Sequence, residues 1–166
     1  MSTIRDYSDG QWRSITAAPA AAGLLITLAD ASGPIGVVKE GMAVTRALTD
    51  AGSGDVPEVV TSLVAEVRSG KFKPQLPTLP YTDRDKAKAV LLETITAAVA
   101  AVEATSPNEV APFKTWLVAT ATNVARAATE GGFLGIGGTL VSPEEQAALA
   151  ELATALGVSV PAAPTT

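Results

Sequence analysis

"TDRDKAKAVLLETITAAVAAVEATS", residues Thr82–Ser106, decides the fold class. Val90, Leu91, Ile95, Ala98 and Val102 recur at helical intervals, while Lys86, Glu93 and Glu103 fall between them. Such a pattern lines one face of an α-helix; a half-buried strand would alternate at every second residue. Thr82 with Asp85 has the spacing of a helix start.

The same periodicity extends to both sides. Downstream, "SPNE" at Ser106–Glu109 has the form of a capping box with proline at the first helical position. It introduces a helix with Phe113, Trp116, Leu117, Thr120 and Val124 at core spacing. Thr120 fits that stripe because its hydroxyl can bond a carbonyl one turn back. "SPEE" at Ser142–Glu145 repeats the cap before Leu149, Leu152, Ala153 and Leu156, and Gly157 ends that helix. Upstream, "KFKPQLPTLPY" (Lys71–Tyr81) is non-helical, since Pro74, Pro77 and Pro80 remove donors and fix φ. It reads as a strap over the helices, although Lys71, Pro74 and Pro77 also match the spacing of an SH3-domain ligand. "PEVVTSLVAEVRSG" is a helix with Val59, Val60, Leu63, Val64 and Val67 on one face, ending at Gly70. A helix opened by Pro34 carries Ile35, Val38, Met42, Thr45 and Leu48. Ser8 or Asp9 caps the first helix, and Pro19 suits the first turn of a continuing or restarted one.

The expected fold is therefore all-α: a single-domain bundle of five to six helices over residues 1–160, with 161–166 as a frayed tail. Composition agrees. Hydrophobic residues make up 47% of the 166-residue chain and aromatics only 4%, so Ala, Val and Leu must build the core. Alanine favours helices and is depleted from strands.

Composition also excludes chemistry. Cysteine and histidine are both absent, which removes disulfides, Cys/His zinc sites and any His-based triad. No catalytic residue and no cofactor is assigned, and the expectation is a protein that is not an enzyme. The net charge is −5 with scattered basic residues, which argues against nucleic acid; Arg68, Lys71 and Lys73 read as a solvated linker. "AAPAAAGLLITLA" (Ala17–Ala29) is too short to span a bilayer, which needs about 20 residues. With no apolar signal core in "MSTIRDYSDGQW", the expected location is cytoplasmic.

"EGGFLGIGGTLVSPEE" (Glu130–Glu145) is rich in glycine but has neither the P-loop lysine nor a preceding strand. It reads as a helix-to-helix connection in which Phe133, Leu134 or Ile136 covers the core. It also points to a weak repeat of two helical hairpins. One runs through "LAD", a turn and "VVKEGMAVTRALTDAG"; the other runs through "ATE", the glycine loop and "SPEEQAALAELATALG".

"GGFLGIGGTLVSPEEQAALAELATALG", "DGQWR" and "ADASGPIGVVKEG" resemble segments of a group of short uncharacterised bacterial all-helical proteins. More distantly, the double hairpin with acids at its turns is similar to the TerB-like tellurite-resistance fold. That resemblance implies an all-helical protein linked to stress responses and metal. Asp30, Glu40, Glu130 and Glu145 would then converge as oxygen ligands for Ca²⁺ or Mg²⁺; otherwise they are helix-end and surface acids, favoured near helix N-termini by the dipole. Two functions follow. The leading one is a non-enzymatic module binding an unknown protein partner or forming a homo-oligomer. The alternative is a carboxylate metal-binding stress-response protein.

Overall fold

Every residue from Ile15 to Gly23 is buried, whichever way it points around its helix. A helix that is apolar all round belongs inside its structure rather than on the surface, and α1 (Asp9–Ala29) is that helix. It packs most extensively against α3 (Arg84–Thr105), then against α4 (Val110–Glu130) and α5 (Pro143–Leu156). A further helix, α2 (Glu58–Arg68), adds Val59, Val60, Leu63 and Val64 to the same core. The computed structural model describes residues 6–29, 56–71, 75–130 and 141–159, with the backbone alone at 127–130. Among the described residues the chain is all-helical, with five α-helices and no strand. The helix expected over 34–50, the glycine-rich connection with Phe133, Leu134 and Ile136, and the tail at 161–166 lie outside them.

Small side chains explain the central position of α1. Ala17, Ala18, Ala20, Ala21 and Ala22 are buried there, and α3 answers with buried Ala87, Ala98 and Ala101. Helix axes pack about 8–10 Å apart according to the side chains between them, and alanine sets the short end of that range. Of the two readings of Pro19, a continuing helix is the one observed, with the proline in its interior and not in a first turn. The helix is one continuous 21-residue element, although the Pro19 ring forfeits the bond to the carbonyl four residues back. Burial of residues 15–23 around Pro19 offsets that loss. By length and composition alone α1 could cross a membrane, but eleven of its residues are buried against the rest of the chain, as in a core helix.

The stripe read on α4 is the one observed: Phe113, Trp116, Leu117, Thr120 and Val124 are all buried. Phe113 and Trp116 stack with ring centroids 5.9 Å apart. Thr120 Oγ1 donates to the Trp116 carbonyl at 2.9 Å, one turn back. Both glycine helix ends hold as well. Gly70 and Gly157 adopt φ of 69° and 65°, the left-handed region that lets the chain turn back on the last helical carbonyls. Lys71 N–H reaches the Glu66 carbonyl at 3.2 Å, and Val158 N–H reaches that of Ala153 at 3.0 Å.

The proline-rich strap is non-helical over 75–80, and it lies over the core: Leu79 is buried and Leu76 packs against the cluster. It delivers the chain to α3, whose cap is Asp83 rather than Thr82. Asp83 Oδ1 accepts from Lys86 N–H at 3.2 Å, and Oδ2 pairs with the Lys86 ammonium at 2.9 Å. These bonds, the Lys86 ammonium first, hold the Asp83 carboxyl below its usual value of 3.8. A depressed folded-state pKa contributes stability that is present above the unfolded value and lost as pH falls through the folded one. Asp83→Asn retains a capping side chain without the titration. The stability difference between parent and D83N should therefore hold constant above about pH 5 and change only as acid protonates Asp83. Chemical denaturation from acid to neutral pH checks it; a difference that varied instead near neutrality would contradict it.

Candidate functional site

Glu145 is the one residue of the expected metal quartet whose side chain is described, and it is occupied. It is only 3% exposed, not the surface acid its helix-start position suggests. Its Oε2 accepts from Ser142 N–H at 2.9 Å, while Ser142 Oγ accepts from Glu145 N–H at 3.1 Å. This is the capping box read from "SPEE", with both reciprocal bonds present. Asp30 and Glu40 lie outside the described residues, as does the side chain of Glu130 at the end of α4. Among the described residues no three acids are grouped as metal ligands. If the quartet nonetheless formed a hard-cation site, saturation at about a hundred times the dissociation constant would stabilise the fold by roughly 2.7 kcal/mol. A domain of this size would then melt roughly 5–10 °C higher. We expect no such shift with Ca²⁺ or Mg²⁺. A reproducible shift in the parent, lost when Asp30, Glu40, Glu130 and Glu145 are all replaced by alanine, would establish the metal site.

The second capping motif is used differently. Ser106 makes no side-chain cap, and Pro107–Glu109 forms a 3₁₀ turn leading into α4. Ser106 Oγ lies 3.3 Å from the Tyr7 hydroxyl instead. Glu109 reaches across to another helix: its Oε2 accepts from Val59 N–H, 50 residues away, at 2.9 Å. The physical reason is at the start of α2. Its N-cap position is Pro57, which offers no side-chain acceptor, so the first N–H groups of α2 need one from elsewhere. That proline was the available signal, but no local spacing could name Glu109 as the answer. Hydrogen bonds to charged groups contribute about 1.5–3 kcal/mol. Glu109→Ala should accordingly destabilise the chain by about 1–3 kcal/mol in urea unfolding, with protection of the first α2 amides reduced in hydrogen exchange. Unchanged α2 protection in a destabilised variant would mean that Glu109 acts elsewhere.

Two other acids have structural partners of the same kind. Glu66 Oε2 accepts from Trp12 Nε1–H at 3.1 Å, tying α2 to α1. Glu151 pairs with Lys88 between α5 and α3. Trp12 is half-buried beside Tyr7, with ring centroids 5.8 Å apart. Trp116 is buried, and its indole N–H has no acceptor among the described residues.

The surface has shallow concavities. One is an open groove of about 510 Å³ between α1, α3 and the strap, lined by Arg13, Ala17, Leu76, Pro77, Glu93 and Ala97 among others. Thr61, Val64, Ala65, Arg68 and Ser69 outline another along α2. The groove is lined by one base and one acid, Arg13 and Glu93, and the concavity along α2 by a single charged residue, Arg68. Against known proteins the chain matches no family model, no curated protein and no solved structure. The functional reading therefore rests on the residues themselves.

Proposed function

We propose that this chain works without catalysis, as a helical module that engages a protein partner or a second copy of itself. One observation carries the reading: acids that would be the natural source of chemistry hold the fold together. Asp83 and Glu145 cap their own helices, Glu109 caps α2, Glu66 holds Trp12, and Glu151 pairs with Lys88. A catalytic carboxylate must instead present an oxygen to substrate with a pKa matched to proton transfer, and the chain has no histidine or cysteine to take its place. Among the charged and polar residues that α3 presents outward stand four small ones: Ala89, Ala97, Ala100 and Ala104 are exposed along it. Small side chains leave the helix backbone open to close approach by another surface.

The two-hairpin architecture belongs to the same reading. In the second hairpin α4 and α5 pack on each other, and the first would pair α1 with the segment that follows it. The two units would share the central core and turn at comparable ends.

The test has two arms. Sedimentation velocity over a wide concentration range reads self-association. Co-purification with a tagged full-length chain, repeated with Ala97→Arg and Ala100→Arg, reads a partner and its dependence on the α3 face. A chain that stays monomeric at every concentration, and retrieves nothing sensitive to those substitutions, would refute the proposal.

A further inference from the structure

The groove between α1, α3 and the strap carries one charge of each sign. Arg13 and Glu93 are both exposed there, beside apolar Ala17, Leu76, Pro77 and Ala97. Neither takes part in an ion pair among the described residues, unlike Lys86 with Asp83 and Lys88 with Glu151. A face bearing both signs beside apolar surface is complementary to a rotated copy of itself. In a two-fold dimer every contact occurs twice, residue i on j and j on i. An axis through the groove would set Arg13 of each copy against Glu93 of the other and close the apolar strip between them.

We infer that this groove face is where a second copy of the chain docks, in an isologous dimer registered by two reciprocal Arg13–Glu93 pairs. The inference rests on the self-association side of the function proposed above and names its surface. Other occupants fit less well. Nucleic acid or an anionic lipid surface would meet Glu93 and a chain of net charge −5. The half-buried Leu76 and small Ala97 favour a close-fitting protein surface. Charges at a solvent-exposed rim mainly set register and association rate, and opposed like charges suppress the wrong pairing.

The experiment is sedimentation equilibrium on the full chain and on Arg13→Glu, Glu93→Arg and the double exchange R13E/E93R. Both positions are exposed, so circular dichroism melts should match the parent. Each single reversal creates two like-charge contacts per dimer and should weaken association on the order of a hundredfold. The double exchange restores opposite pairs and should dimerise like the parent. An equimolar mixture of the two single variants should also recover association. In that heterodimer the R13E chain brings two acids to the groove and the E93R chain brings two arginines, so both reciprocal contacts again join opposite charges. A parent that is monomeric throughout would overturn this inference and remove the self-association side of the proposed function, leaving only the protein partner. A parent that dimerises while both single reversals still dimerise would overturn the surface alone. Single reversals that dissociate without recovery in the mixture would overturn the reciprocal pairing.

Discussion

Phe113→Ala should lower stability by about 3–5 kcal/mol, the range for emptying a fully enclosed aromatic site. Phe113 is 0% exposed and stacks on Trp116 at the start of the α4 stripe. Its removal costs the transfer energy of the ring, the cavity it leaves, and the ring–ring contact, itself about 0.5–1.5 kcal/mol beyond burial. For a chain of this size the melting temperature should fall by roughly 6–20 °C. Thermal unfolding followed by circular dichroism measures it. A variant that melts within a degree or two of the parent would mean that α4 does not bury this face.

Ala21→Leu should destabilise by about 1–3 kcal/mol, and by more if α1 and α3 cannot move apart. Here the damage comes from adding atoms. Ala21 is 0% exposed within the stretch of α1 that is buried on every side. Leucine is a good helix former and more apolar, so propensity and hydrophobicity alone predict no loss. The control is Ala89→Leu on the exposed side of α3, which should stay within about 0.5 kcal/mol of the parent. Equal behaviour of the two variants would show that alanine at position 21 reflects helix propensity and not close packing.

Much of the fold was legible because helix signals are local. The α5 cap needs only Ser142 and Glu145 three residues apart, and both bonds form. The α4 stripe needs only the helical period, and every member of it is buried. Gly70 and Gly157 end their helices because a left-handed turn is cheap for glycine. The same local logic misassigned the start of α3, where Asp83 outcompetes its neighbour Thr82 by gaining both the Lys86 amide and its ammonium.

Of the expected site, only Glu145 falls where its side chain is described, and burial was the part its sequence position could not convey. By itself the sequence determined that this chain is helical, where most of its described helices start and stop, and that histidine and cysteine chemistry are closed to it. Only the tertiary structure decided which helix stands at the centre, that Glu109 caps α2 instead of its own helix, and that Glu66 binds Trp12 from 54 residues away. The reason is range. Capping and periodicity are fixed by neighbours within about one helical turn, whereas a carboxylate's final partner depends on which N–H groups other helices bring within about 3 Å of it.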